Sequence, residues 1–390
     1  MGRALTSSAP APVAWTVLAF SLVTLMFRLL WFSFGARPSE RLITYGLLFG
    51  TASGLLREHV VQDWFAQEGV FDVAFTRQLS AAVMVVMFAP LLLLVASWSE
   101  RTWAYAARSS RLVWATVCVS AALMLVVGTH SRALGDYIDR AEGWQTPLYF
   151  VIFSTWCGVP GILMVTTSVK ELRAGDLRPM HRLTYLMIVI VGACAVEEAL
   201  LIVVSSMCAA TGTGSAYVEF RIRANENNYT YILGGGALVA AAGVATEFMR
   251  RLRLDPASRA IRHLTPMWEE LVSACPEIPR PTRQDENMNP RRYVHRMTVE
   301  IRDALLVLGR YVGPGADNAT GPAGESLQIA RALHRKQSGA QAGQYRRLQA
   351  SAPGSDIVDE TRALRKIASH WEESRSHVQA TPLLDGDPAK

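Results

Sequence analysis

The chain has 390 residues, half of them hydrophobic and only 18% charged, with 39 Lys and Arg against 33 Asp and Glu. Globular chains carry about a quarter charged residues. Here the deficit falls before Arg250, where charges cluster between apolar runs, and the remainder is polar. This argues against one soluble globule and for a membrane region, 1–249, followed by a soluble domain, 250–380, with residues 381–390 expected to be disordered.

Crossing a bilayer takes roughly 20 apolar residues, and by that length the chain carries about seven candidate runs. In chain order they are Pro12–Phe34, Leu42–Leu56, Leu79–Trp98, Leu112–Gly128, Pro147–Val169, Leu183–Met207 and Tyr231–Phe248. The first follows a single basic residue, Arg3, and lacks a small-residue cleavage pattern, so it reads as a retained helix. Arg28, near its inner end, is expected to snorkel, as are Arg41 and Arg57 around the short second run. The stretch "REHVVQDWFAQEGVFDVAFTRQ" spaces Val61, Trp64, Phe65, Phe71 and Phe75 at near-helical intervals. It fits a segment lying in the headgroup region and equally an extension of the neighbouring spans with their aromatic belt. Pro90 and Pro160 predict bends in the third and fifth runs.

The sixth run holds the adjacent carboxylates Glu197 and Glu198 near its middle. A charge at the centre of a membrane helix costs at least about 2.5 kcal/mol, and such residues are functional candidates by default. Neighbours on a helix point about 100° apart, so the two cannot face one partner equally. They are expected to form a proton or ligand site, with Arg57 as counter-charge if the second helix extends to Val61. The alternative is a polar network that fixes packing. In the last run, Gly236 and Ala240, like Ala237 and Ala241, sit four apart, a spacing for close packing inside the bundle or in a homodimer.

Arg250, Arg251 and Arg253 then form a basic cluster suited to anionic lipid. Asp255-Pro256 reads as a helix start, and Thr265-Pro266 as a second one. Residues 290–312 space Tyr293, Met297, Ile301, Leu305, Leu308 and Val312 by three and four, an amphipathic helix. On it, Tyr293, Arg296, Glu300 and Asp303 are candidates for docking a cytosolic protein. "GPGADNATGPAGES" reads as a flexible connector, and helices follow around Leu327–Gln341 and Asp356–His377. From Arg250 onward there are 22 Lys and Arg against 17 Asp and Glu. No nucleic-acid reading motif accompanies that charge, so no nucleic-acid partner is expected.

Lys and Arg are denser in the loops on the C-terminal side, which predicts a cytosolic C-terminus and, with an odd number of spans, an outer N-terminus. The five cysteines show no disulfide or zinc spacing. No nucleophile constellation and no phosphate-cradling loop stands out, so no metal, cofactor or enzymatic activity is expected.

The layout, with "LTPMWEELVSACPEI" and "RRYVHRMTVEIRDALLVLGRYV", resembles an actinobacterial family of seven-helix membrane proteins that carry a transporter label and a cytosolic helical domain of unknown function. Leu264, Pro266, Trp268, Leu271 and Glu300–Leu305 carry the resemblance, which implies no substrate. The sequence thus predicts an all-α cell-membrane protein of receptor or sensor type, a seven-helix bundle coupled to a partner-docking domain. The other reading is a proton-coupled or small-molecule transporter using Glu197 and Glu198.

Overall fold

The computed structural model describes residues 10–32, 37–98, 100–135, 137–175, 179–278, 290–313, 321–348 and 357–380, apart from the side chains of 100–109, 179–181 and 226. The regular elements among them are all α-helices. They fall into two compact units, Met1–Ala245 and Thr246–Lys390.

The first unit runs α1 (Ala11–Phe32), α2 (Pro38–Arg57), α3 (His59–Gln67), α4 (Val73–Ala96), α5 (Glu100–Val127), α6 (Thr129–Ala133), α7 (Gln145–Ala174), α8 (Pro179–Ala210) and α9 (Ser215–Arg251). Six stretches are long and apolar enough to cross a membrane: Ala11–Phe32, Val73–Ala96, Ser110–Ala133, Gln145–Ala174, Arg182–Ala210 and one within Ser215–Ala274. The protein is therefore an integral membrane protein with several spans.

The second sequence run, now α2, is not among these six. Its Thr44, Gly50, Thr51, Ser53 and Gly54 are buried. Ser53 Oγ donates to the Ser80 carbonyl at 2.9 Å, and Ser80 Oγ returns a bond to the Ser53 carbonyl at 2.8 Å. Tyr229 Oη on α9 donates to the Gly50 carbonyl at 2.6 Å. Small and hydroxylated residues suit a helix enclosed by other helices, because backbones approach closely and polar groups find partners there.

Arg28 does not snorkel. It is 1% exposed, and its guanidinium donates to Thr44 Oγ1 (3.1 Å), the Ala240 carbonyl (2.9 Å), the Glu40 carbonyl (2.8 Å) and Glu40 Oε2 (2.7 Å). One side chain thus ties α1, α2 and α9 together. Removing one partner of such a buried pair costs on the order of 3–5 kcal/mol.

The aromatic stretch after α2 forms its own short helix, α3, with Val60 and Trp64 exposed. Asp72 then caps α4, accepting from the Phe75 N–H. Val85, Phe88, Val117, Met124 and Phe153 form the apolar core joining α4, α5 and α7. Pro90 and Pro160 both lie buried inside their helices. The closest helix approach is between α7 and α8: a Cβ on Gly161 would lie 2.8 Å from the Gly192 carbonyl oxygen, and the converse distance is the same. Of the small residues in α9, Ala237 and Ala240 pack on Leu25 and Leu47, whereas Gly236 is exposed.

The second unit contains α10 (Pro256–Ala274), α11 (Pro290–Leu308), α12 (Gly321–Gln337), α13 (Ile357–Ala368) and α14 (Trp371–Ala380). Its core gathers Leu264, Met267, Leu271, Met297, Ile301, Leu308, Leu333, Leu364 and Trp371. Asp255 caps α10 as expected, accepting from the Ala257 and Ser258 N–H groups at 3.1 Å. Thr265-Pro266 does not start a new helix. α10 runs through it, because proline forfeits only the bond to the carbonyl four residues back while the apolar face on both sides stays packed. The end of the glycine-rich connector is the first turn of α12; its earlier part, 314–320, and the tail 381–390 lie outside the described residues.

Candidate functional site

Polar side chains from several helices converge near one end of the first unit. Arg57 ends α2, Arg77 lies one turn into α4, Tyr149 one turn into α7, and Asn225 lies in α9. With Tyr137 and Asp139 from the segment after α6, they line a cavity of about 40 Å³. An adjoining cavity of about 30 Å³ shares Arg77, Asp139 and Asn225 and adds Ser205 and Ser206 of α8 and Arg221 of α9.

The charges are held in place. Arg77 Nη2 meets Asp139 Oδ2 at 2.9 Å, and its guanidinium lies 4.9 Å from the centre of the Tyr137 ring. Arg57 stacks over Tyr229 at 4.6 Å. Gln78 donates its amide to the Gly128 carbonyl (3.1 Å) and Ser131 Oγ (3.0 Å), and its carbonyl accepts from Arg132. Arg221 Nη2 meets Glu198 Oε1 at 2.7 Å. Tyr149 is 1% exposed, and its hydroxyl has no hydrogen-bond partner among the described residues. A buried hydroxyl in that condition costs about 1–3 kcal/mol. Ala81, Met84 and Phe153 supply apolar wall, and below them begins the packed core of α4, α5 and α7.

Beside this site, Glu58 is buried at the α2–α3 junction and lines a smaller cavity of about 10 Å³ with Arg57 and Tyr229. Burial pushes its carboxyl above the usual carboxylate range, and His59 offsets part of that rise.

The residues singled out in the sequence are distributed differently. Glu198 faces inward, and its ion pair is with Arg221; the Arg57 guanidinium lies over Tyr229 instead. Glu197 is exposed on the outer side of α8, as the 100° offset between neighbours requires. Arg250 and Arg251 are exposed and both bridge to Glu247 (2.6 and 3.0 Å); Arg253 is exposed with φ of 54°. On α11, Asp303 is exposed and Tyr293 and Arg296 are half-buried. Glu300 is not a surface docking residue: it is buried, accepting from Trp268 Nε1 (2.7 Å) and Arg296 Nε (2.6 Å). The exposed face of α11 carries Val299, Asp303 and Leu306 instead.

Arg77, Asp139, Tyr149, Arg221 and Asn225 were not singled out in the sequence. They stand at the ends of apolar runs and in connections, where isolated polar residues are ordinary. Among the described residues no three His, Cys, Asp or Glu side chains come together as a metal site. The five cysteines are unpaired, with Cys118 and Cys194 exposed and Cys275 in the core of the second unit.

No curated protein and no solved structure matches the chain. A family of unknown function, DUF6545, matches residues 251–376, which places a region of that family in a protein with six candidate membrane helices.

Proposed function

We propose that the protein is a membrane receptor or sensor. In this reading α2 is a seventh crossing, the second unit lies in the cytosol, and the cavity between Arg57, Arg77 and Tyr149 takes a small ligand at the opposite face. The observation that carries the proposal is the convergence of charged and hydrogen-bonding side chains from α2, α4, α7, α8 and α9 on one blind polar cavity. A ligand touching several helices at once has different contacts in each bundle arrangement, which is what lets binding shift a conformational equilibrium. α9 brings Arg221 and Asn225 to the cavity and ends at Arg251, so it is the natural carrier of that shift. Val299, Asp303 and Leu306 would then meet a cytosolic protein. Lys and Arg enrichment in the loops on the C-terminal side supports the orientation.

The test is hydrogen exchange of α10–α14 in the full chain in nanodiscs, wild type against Glu198→Gln. Releasing Arg221 is expected to change exchange rates in the second unit by about twofold or more. Unchanged rates would remove the coupling and the receptor reading with it.

The second reading is a transporter, and outward-facing Glu197 in the middle of α8 favours it, since a lipid-exposed carboxylate is tolerated most easily when protonated. Here Glu197→Gln abolishes proton flux into liposomes, and retained flux takes Glu197 out of the mechanism.

A further inference from the structure

We infer that the polar cavity binds a short-chain carboxylate, its head group against Arg57, Arg77 and Tyr149 and its tail against Met84 and Phe153. The inference rests on the reading of this cavity as the ligand site and names the ligand's chemistry.

Charge comes first. Among the described residues lining the two adjoining cavities, Arg57, Arg77 and Arg221 stand against Asp139 alone. Glu198, behind the lining, meets Arg221, so the cations still exceed the carboxylates. A surplus positive charge in a site shielded from water favours an anionic occupant.

Donor geometry comes second. Tyr149 is almost fully buried, it lines the larger cavity, and its hydroxyl is unmatched within the protein. A phenol donates one proton, and a carboxylate oxygen is a stronger acceptor than water. Guanidinium groups beside it provide the charge-assisted bonds that carboxylates take up in pairs.

Size and polarity come third. A cavity of about 40 Å³ holds about three waters, at 10–15 Å³ for each. That admits a carboxyl group with one or two carbons and excludes sugars and nucleotides. The apolar wall of Ala81, Met84 and Phe153 suits a hydrocarbon tail and is a poor lining for a fully hydrated inorganic ion. Apolar walls with a few placed polar groups are the usual make-up of a small-molecule site.

The experiment is calorimetric titration of the full chain in nanodiscs with propionate, its neutral analogue propionamide, and chloride. Saturable binding of propionate, with neither of the others competing, is the expected result. Tyr149→Phe, which removes only the hydroxyl, should weaken propionate by about tenfold while keeping the wild-type unfolding temperature. Asn225→Ala serves as a second variant should Tyr149→Phe fold poorly, with a weaker affinity expected. The inference is overturned by an absence of propionate binding, by equal competition from propionamide or chloride, or by unchanged affinity in the folded variant. Propionate binding that leaves exchange in α10–α14 unchanged would count against the receptor reading alone. A response of the second unit without propionate binding would count against the carboxylate alone.

Discussion

At the scale of single residues, Glu58 sits at the junction of α2 and α3, and burial there raises its carboxyl pKa. A carboxyl whose folded-state pKa lies above its unfolded value favours the folded state while it stays protonated. That contribution is fully present below the unfolded pKa and is lost as pH rises through the folded one. Glu58→Gln keeps the shape and cannot ionise. In thermal unfolding of the purified chain, variant and wild type should therefore unfold at similar temperatures near pH 4. The variant should become the more stable of the two as pH rises above the folded pKa of Glu58. A gap between them that does not change with pH would mean that ionisation at this site costs nothing. The buried side chain of Arg28 makes a related point: hydrogen bonds to Thr44, Glu40 and Ala240 meet the needs of a charge that would otherwise have to reach water.

At the scale of elements, the α7–α8 pair depends on absent side chains. With a Cβ on either Gly161 or Gly192 the facing backbone oxygen would be 2.8 Å away, closer than a carbon can sit, and backbone cannot swing aside as a flexible side chain can. Gly161→Ala and Gly192→Ala should each cost about 1–3 kcal/mol as overpacking, seen as a lower unfolding temperature in detergent. Gly235→Ala is the control, since its added Cβ meets nothing within 4 Å, and it should be neutral or slightly stabilising. If all three variants unfold alike, the close approach does not hold the helices together. The elements themselves were legible in the sequence: apolar run lengths located the membrane helices, and the three-and-four spacing of Met297, Ile301, Leu305 and Leu308 located the buried face of α11. Pairing was not legible. Periodicity places Glu198 and Arg221 each on a helix, but which side chains meet depends on how the helices rotate and pack, so Arg57 was an equally reasonable partner. Glu300 looked like a surface residue by its charge, and only the packed structure shows Trp268 and Arg296 meeting it inside. Pro266 was read as a boundary because local rules cannot weigh one lost backbone bond against a whole packed helix face.

At the scale of the whole molecule, the number of crossings depends on α2. A hydropathy criterion passes over it, since its Thr, Ser, Gly, Glu40 and Arg57 lower the average. That criterion measures suitability for lipid, whereas α2 is flanked by protein. Near its start Thr44 accepts from Arg28 of α1; near its end Ser53 exchanges bonds with Ser80 of α4, and a Cβ on Gly54 would touch Leu18 of α1. Contacts to the same neighbours near both ends mean that α2 runs alongside them for most of its length, and α1 and α4 are themselves candidate spans. Its 20 residues rise about 30 Å at 1.5 Å each, the thickness of a bilayer's hydrocarbon core. Seven crossings put the two ends of the chain on opposite sides of the membrane, and six put them on the same side. Single cysteines at Ala11 and Ser338, both exposed, in a background with the five native cysteines replaced by alanine or serine, separate the two cases. With a membrane-impermeant maleimide on intact cells, Ala11→Cys is expected to react and Ser338→Cys only after permeabilisation. Labelling of both, or of neither, in intact cells would make α2 a helix buried in the bundle without crossing, and would place the cavity and the second unit on one side.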